Sequence, residues 1–334
     1  MTAPAHSDNH RLGLAAVPGI GVGHTSAGDT GCTVVVAPAG AYAAVDVRGG
    51  GPGTRETDLL EAHNTVAQVH AVLLSGGSAY GLAAADGVMA QLEKAGIGFP
   101  VLGPDKPGPI VPIVPGAVIF DLLVGDPQHR PTRHDGAAAT RQALADLAQR
   151  DPHTTSPHPA ARGSIGAGCG ATAGKIRGGY GTANTTIGDY VVAAGVVANP
   201  VGHVVDPHTG QLYGDPTITV DPAAYADLES LATKLNTTIG VIATNAPVTK
   251  AQARRLALTG HDGLARAIRP AHSPLDGDTL FALSTGDGSG VDVDLLGQLC
   301  AAAADMVEAA IVDAVLSAEP GLNTACLADI RTTT

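Results

Sequence analysis

Short apolar runs of the kind that form buried strands alternate along this chain with helical stretches. The runs cover residues 33–36, 43–47, 71–74, 190–197, 239–244 and 279–284. Apolar runs of four to eight residues bounded by turn residues are typical of buried strands. The alternation therefore predicts a fold that mixes α-helices with β-strands.

Local signals predict where several helices and loops lie. Thr249 and Gln252 form a capping-box pattern ahead of an apolar helical face that ends before Pro270. Residues 294–318 are apolar on nearly all sides, which predicts a helix buried within the protein or at a subunit contact. A helical pattern also covers residues 225–235. Pro- and Gly-rich composition predicts surface loops at 103–108 and 149–162.

Composition limits the core, the partners and the compartment. Aromatic residues make up 3% of the chain and Trp is absent, so Val, Leu, Ile and Ala must fill the core in closely spaced layers. A formal net charge of −12 argues against a nucleic-acid partner, which would need clustered Lys and Arg. The chain shows neither a signal peptide nor an uninterrupted apolar span, and its four Cys are widely spaced. We expect a cytoplasmic protein with reduced thiols and no membrane partner.

Thr237 stands just before the apolar run 239–244 and is the candidate nucleophile. A Thr hydroxyl needs a base, and cutting the Asn236-Thr237 bond would supply one as a free α-amine with a reference pKa of roughly 7.7 to 8. Most Thr residues at strands are structural. Downstream, Asp276 and Asp278 precede the run 279–284. They could hold an ammonium and a hydroxyl around Thr237, although Asp-Gly-Asp is also a common turn composition.

Two further residues have a possible chemical role beside an ordinary one. The glycine-rich run 163–175 is not a phosphate loop, because Cys169 stands where a Gly is required and Ile176 follows Lys175. Lys175 beside a reacting centre would instead lower the pKa of a neighbouring amine. Asn199 precedes Pro200 as in many turns, but its amide could also donate to an oxyanion. No metal-ligand spacing is present, so we expect no metal and no cofactor.

Several separated segments together carry a resemblance to a known family. They lie at residues 75–82, 111–121, 174–175, 198–202, 236–238 and 276–278. In this order they resemble the DmpA-type self-processing peptidases, a family that includes β-peptidyl aminopeptidases and nylon-oligomer hydrolases. The match runs from about Gly19 to the C-terminal helix, and agreement of several motifs in order is far more specific than any one of them.

The resemblance implies both a fold and a set of site residues. The implied fold is the four-layer αββα sandwich of N-terminal-nucleophile hydrolases. It would form a single catalytic domain over residues 1–334 that matures into a large fragment, 1–236, and a small fragment, 237–334. The residues that match functional positions of the family are the nucleophile Thr237, the catalytic Lys175, the oxyanion donor Asn199, the orienting acids Asp276 and Asp278, and Tyr80, which would support the oxyanion or line the pocket.

The resemblance also implies an activity. Thr at position 237 and the Asp-Gly-Asp segment are similar to the nylon-oligomer hydrolases, which act on amides of 6-aminohexanoate, whereas the aminopeptidases of the family carry Ser. An aminopeptidase, β-peptidyl aminopeptidase or amino-acid amidase remains the alternative. Further alternatives are an acetyltransferase of the ornithine acetyltransferase kind and an uncleaved binding or storage protein. The expected partners are a small amide or peptide substrate and other copies of the chain, as a tetramer of large and small fragment pairs.

Overall fold

The structure, a computed structural model, describes residues 8–150, 160–229 and 235–332. The strands are β1 (Gly21–Ser26), β2 (Gly31–Val47), β3 (Thr54–Arg55), β4 (Gln68–Ser75), β5 (Phe99–Pro100), β6 (Ile110–Val111), β7 (Gly116–Val118), β8 (Thr172–Ala173), β9 (Ile176–Arg177), β10 (Gly179–Ile187), β11 (Tyr190–Ala198), β12 (Ile239–Thr244) and β13 (Thr279–Ser284). The α-helices are α1 (Ala84–Lys94), α2 (Arg133–Gln149), α3 (Pro222–Asp227), α4 (Lys250–Ala267), α5 (Val293–Leu316) and α6 (Leu327–Ile330). Short 3-10 helices cover Asp8–Ala16, Asp58–Leu60, Ser78–Ala83 and Gly166–Gly168.

Strand β2 lies in the middle of one nine-stranded sheet and joins its two layers, which we call the first sheet (β10 to β13 with β2) and the second sheet (β1, β2, β4, β7 and β3). Its C-terminal part pairs with β13, which continues through β12 and β11 to β10. Its N-terminal part lies between β1 and β4, and β4 continues through β7 to β3. The register shifts between Val36 and Ala41, where an irregularity in β2 separates the two parts. Such irregularities bend a strand, so one chain segment contributes to both sheets.

The two sheets pack face to face between two layers of helices. Alternation along β2 places Val35 and Val45 in the apolar core between the sheets, together with Val241 and Phe281 of the first sheet. Val34 faces outward and packs with α1 and α2 in a second core. A third core joins the first sheet to α4 and α5. These three cores are the interfaces of a four-layer αββα arrangement.

Helix α4 begins as its sequence predicts and also anchors a loop. Thr249 caps the helix and forms the capping box with Gln252. Lys250 is buried and donates three hydrogen bonds, of 2.9 to 3.0 Å, to the backbone carbonyls of Leu59, Asn64 and Val66. The side chain thereby ties the segment between β3 and β4 to the start of α4.

Some local expectations need correction. Residues 33–36 and 43–47 belong to one long strand and not to two separate ones. The helical pattern at 225–235 corresponds to α3, which ends at Asp227, and residues 230–234 lie outside the described part. Helix α5 packs inside the protein, with residues such as Leu299 and Val307 in the core against the first sheet. Residues 151–159 of the predicted loop 149–162 also lie outside the described part.

None of the helices in the described ranges combines the length and the apolar character needed to cross a membrane.

Candidate active site

The candidate site forms where the ends of four neighbouring strands of the first sheet meet. Strands β12 and β13 are parallel, with Ile239 opposite Thr279, so the residues just before them also lie side by side. A bridge between Asn236 and Asp276 extends this pairing to the start of both strands. On the other side, β11 runs antiparallel to β12 and brings Asn199 next to Thr237. The register therefore brings three segments that are distant in sequence to one place.

Thr237 is buried, with 5% of its surface exposed, and its hydroxyl lies against the peptide bond that precedes it. The hydroxyl donates a hydrogen bond to the carbonyl oxygen of Asn236 at 2.5 Å. It accepts one from the backbone N–H of Gly277 at 3.1 Å. The backbone N–H of Thr237 donates to the carbonyl of Asn199 at 2.7 Å. The candidate nucleophile is thus held in contact with the carbonyl group that it would attack.

The Asn236 side chain is held on one side only. Its Nδ2 donates to the carbonyl of Pro200 at 2.9 Å. Its Oδ1 is buried and has no hydrogen-bond partner among the described residues. A buried acceptor without a donor costs free energy. The Asn236-Thr237 peptide bond therefore lies next to a desolvated and unpaired amide oxygen.

Asn199 is fully buried, and its hydrogen bonds fix which way its amide points. Oδ1 accepts from the backbone N–H of Thr172 at 2.9 Å, and Nδ2 donates to the carbonyl of Phe120 at 3.2 Å. This pattern assigns the oxygen and nitrogen of the side chain. An amide nitrogen carries two hydrogens, and the Phe120 carbonyl uses one of them, so the oxyanion role of the other stays a prediction.

Asp276 and Asp278 lie on either side of Gly277 and bind backbone N–H groups. The Asp276 carboxylate accepts from Val201 at 3.0 Å and from Ser273 at 2.9 Å. Burial first, and then the charge of Asp278, raise the pKa of Asp276. In the uncut chain, neither carboxylate forms a hydrogen bond with the Thr237 hydroxyl among the described residues. The backbone N–H of Gly277 donates to that hydroxyl instead. Their predicted contact with a free α-amine stays a prediction.

Lys175 and Tyr80 are placed differently from the other candidates. The Lys175 ammonium donates to the carbonyl of Ala226 at 2.7 Å and lies 6.0 Å from the ring centre of Tyr225. Within the described part of the chain it forms neither a hydrogen bond nor an ion pair with Thr237. Tyr80 is 59% exposed, and the guanidinium of Arg130 lies 3.6 Å from its ring centre. The roles of both residues stay predictions.

The glycine loop after β2 is a part of the site that sequence analysis missed. The backbone N–H of Gly51 donates to the carbonyl of Asp276 at 2.7 Å. A Cβ atom at Gly49 would lie 2.3 Å from that carbonyl oxygen, and one at Gly50 would lie 2.6 Å from the carbonyl oxygen of Pro274. Only glycine permits this approach. Three consecutive glycines directly after a strand were the available signal.

Two polar side chains near the site were also missed. His272 Nδ1 lies 2.8 Å from Asp278 Oδ2. Asp121 is buried and accepts from Gly77 N–H at 2.6 Å and from the Thr30 hydroxyl at 2.7 Å. Burial raises the pKa of Asp121 to about 6, although both hydrogen bonds oppose that shift. Asp121 directly follows Phe120, whose carbonyl orients Asn199.

No three His, Cys, Asp or Glu side chains within residues 8–150, 160–229 and 235–332 are grouped so that they could hold a metal ion.

The sequence profile of Peptidase family S58 matches residues 13–324. The chain belongs to this family. An uncharacterized aminopeptidase of Mycobacterium leprae is 45% identical over 98% of this chain and 95% of its own length. A 6-aminohexanoate-oligomer endohydrolase of Paenarthrobacter ureafaciens is 32% identical over 85% of this chain and 78% of its own length. Membership of S58 and these relatives make the chain an amide or peptide hydrolase.

Solved structures agree with the fold. A β-aminopeptidase of Burkholderia sp. has a TM-score of 0.70 at 22% identity, over 98% of this chain and 95% of that chain. An L-aminopeptidase D-Ala-esterase/amidase from Ochrobactrum anthropi, described as a variant of the Ntn hydrolase fold, has a TM-score of 0.71 at 22% identity over 95% of this chain and 89% of its own. The predicted family and the predicted fold class of this S58 chain are therefore confirmed.

Proposed function

We propose that this S58 hydrolase cuts its own chain between Asn236 and Thr237 and then uses Thr237 as an N-terminal nucleophile. The observation that carries the proposal is the buried Thr237 hydroxyl, 2.5 Å from the carbonyl oxygen of Asn236. In maturation, Thr237 Oγ1 attacks the Asn236 carbonyl carbon, the peptide C–N bond breaks, and the nitrogen takes up the hydroxyl proton and leaves as the α-amine of Thr237. Water then hydrolyses the ester and leaves Asn236 with a carboxylate.

In turnover, the freed α-amine of Thr237 takes the proton from its own hydroxyl. The oxygen attacks the carbonyl carbon of a substrate amide, and the free N–H of Asn199 is available to stabilise the resulting oxyanion. Collapse of the intermediate breaks the amide bond, and the leaving amine takes the proton. Water then releases the acyl group from Thr237. The Gly277 N–H, already bound to the Thr237 hydroxyl, supports the nucleophile in both reactions.

Three variants test the cleavage. Thr237→Ala removes the attacking hydroxyl and should leave one intact chain without activity, whereas Thr237→Ser should still be cut. The matched control is Thr238→Val, because the Thr238 hydroxyl is buried without a partner among the described residues and is not needed for the attack. Mass measurement and N-terminal sequencing of the small fragment are the readout. A wild-type chain that stays intact, or a small fragment that begins elsewhere, refutes the proposal.

For the substrate, we favour amides of the 6-aminohexanoate kind, because Thr237 and the Asp276-Gly277-Asp278 segment match that branch of the resemblance. The 45% identity to the M. leprae aminopeptidase supports removal of N-terminal residues as a second candidate. Cyclic and linear 6-aminohexanoate oligomers, amino-acid amides and β-peptides should be compared. Cyclic oligomers have no free amine, so their hydrolysis excludes a strict aminopeptidase. Acetyl transfer from acetylornithine would instead indicate an acetyltransferase.

We also infer that the two fragments stay together and that pairs of them assemble into a homo-oligomer. Strands β12 and β13 of the small fragment lie between β11 and β2 of the large one, so separation would expose sheet edges and apolar faces. Exposed apolar side chains at Phe99, Leu102 and Val111 near the β5–β6 pair offer a surface for assembly. Native mass measurement of a single fragment pair would contradict the oligomer.

A further inference from the structure

Asp278 is buried at the site, and its carboxylate faces three N–H donors. Oδ1 accepts from the backbone N–H of Thr238 at 2.8 Å. Oδ2 accepts from the backbone N–H of His272 at 3.0 Å and lies 2.8 Å from His272 Nδ1. Among these donors, the imidazole is the one side chain. His272 is therefore the residue through which a substitution can alter Asp278 without changing the backbone around Thr237.

His272 is held against Asp278 in an unusual backbone conformation. Its φ is 56°, in the left-handed region that residues other than Gly adopt infrequently, although His does so more often than most. Both its backbone N–H and its side chain face the same carboxylate oxygen. A costly conformation persists where surrounding contacts enforce it, and such residues cluster at functional sites.

A second imidazole lies behind His272. The rings of His261 and His272 are 4.8 Å apart and nearly perpendicular. His261 Nε2 lies 3.1 Å from the backbone carbonyl of Asp46, an acceptor, so this nitrogen carries the hydrogen. Desolvation by burial lowers the pKa of His261 to about 4, which keeps the ring neutral. The Asp46 carboxylate is held by Arg48 at 2.7 Å and by Arg254 at 3.1 Å.

The hydrogen-bond pattern defines the tautomer of both rings. His272 donates from Nδ1 to the carboxylate of Asp278, and His261 donates from Nε2. The other nitrogens, His272 Nε2 and His261 Nδ1, are buried and have no partner among the described residues. The pair therefore offers one fixed donor toward the active site, backed by a packed neutral ring.

From this geometry we propose that His272 is a positioning residue, which orients the Asp278 carboxylate for the reaction at Thr237. The inference rests on the proposed function, in which Asp278 acts on the matured Thr237. The imidazole does not touch Thr237 or its carbonyl partner; it acts through Asp278. The charged and titratable groups that surround His272 and Asp278 on the packed elements are Asp276, His261, Asp46, Arg48 and Arg254.

Two variants separate this role from a structural one. His272→Gly removes the imidazole, keeps the backbone N–H and adopts a positive φ without strain. His272→Asn tolerates the same backbone conformation and returns a side-chain N–H donor. We expect His272→Gly to lower kcat by about 10- to 100-fold, the range for loss of one hydrogen bond to an ionised group, with little change in KM. His272→Asn should recover most of that loss.

The separation of the two kinetic constants supplies a second readout. Because His272 does not touch the reacting atoms, its loss should act on kcat with little change in KM, and His272→Asn should restore kcat. Thermal unfolding of both variants should show that His272→Gly is folded.

The outcomes are distinct. Wild-type kcat in His272→Gly, or equal losses of kcat in the Gly and Asn variants, overturns the inference alone. A wild-type chain that neither cuts itself nor hydrolyses any amide overturns the proposed function, and the inference falls with it.

Discussion

Gly277→Ala should slow the chemistry at Thr237 without removing any reacting group. A Cβ atom at position 277 would lie 2.7 Å from Thr237 Oγ1, whereas ordinary contact begins at 3.4 Å. The methyl group cannot move away, because the carbonyl oxygen of Gly51 and the Cα of Pro52 lie at 2.9 and 3.0 Å from it. The Thr237 hydroxyl must therefore shift by roughly 0.7 Å.

A displacement of this size is large for a nucleophile. Since a misplacement of about 1 Å can cost roughly 100-fold in rate, we expect both self-cleavage and amide hydrolysis to slow by about 10- to 100-fold. The cost in folding stability should be about 1 to 3 kcal/mol, the usual range for one extra carbon in a packed site. The effect on rate should thus exceed what partial unfolding explains.

The assay follows fragment formation over time on denaturing gels and steady-state hydrolysis of the best substrate, with urea unfolding alongside. Gly51→Ala is the matched control, because a Cβ atom there would have its nearest neighbour at 3.7 Å, an ordinary contact. It should behave as wild type. The reasoning is refuted if Gly277→Ala cuts itself and turns over at the wild-type rate, or if Gly51→Ala is equally slow.

Two stability predictions follow from buried charges. The pKa of Asp121, raised to about 6 in the folded protein, lies above its unfolded value. As pH rises, the unfolded chain thus loses this proton before the folded protein does. The free energy of unfolding should therefore fall by up to roughly 3 kcal/mol between about pH 4 and about pH 6, and Asp121 should contribute no further change above that range. The free energy of unfolding of Asp121→Asn should lack this dependence on pH. Urea unfolding of wild type and Asp121→Asn at pH 4.5 and 7.5 is the measurement, and an equal loss of stability between the two pH values in both proteins would contradict the assignment. Lys250→Met should lower the free energy of unfolding by about 3 kcal/mol, because three carbonyls lose their buried donor. Lys94 is exposed, so the control Lys94→Met should change the free energy of unfolding by less than about 0.5 kcal/mol. Equal effects of the two substitutions would contradict the role of Lys250.

Much of the local structure could be predicted from the sequence. The capping box of Thr249 and Gln252 begins α4 as expected, because a cap depends on residues three positions apart. The apolar run 239–244 is β12, because a buried strand is encoded in its own composition. The expectation that Thr237 stands at the mouth of this strand is confirmed for the same reason. Prediction was wrong for the single long β2, because Pro38 and Gly40 mark an irregularity inside the strand and do not end it.

The candidate site was less predictable. The Asp-Gly-Asp segment was correctly expected near Thr237, but the contact with the Thr237 hydroxyl comes from Gly277 and not from either carboxylate. The partner of Asp278 is His272, which was one of thirteen His residues with no motif around it. A hydrogen bond between side chains of a turn depends on backbone angles, and a positive φ at a His is not encoded by its type.

The sequence by itself determined the strands, the capped helix and the family, and it supplied Thr237 as the candidate nucleophile, because these depend on residues close together in the chain. Only the tertiary structure decided that Asn199, Thr237 and Gly277 meet. Their contact results from the order β11–β12–β13 and from a parallel register in which residue 237 faces residue 277. Strand order and register are fixed by which apolar faces pack against distant elements, and a shift of one residue would turn every side chain to the other face.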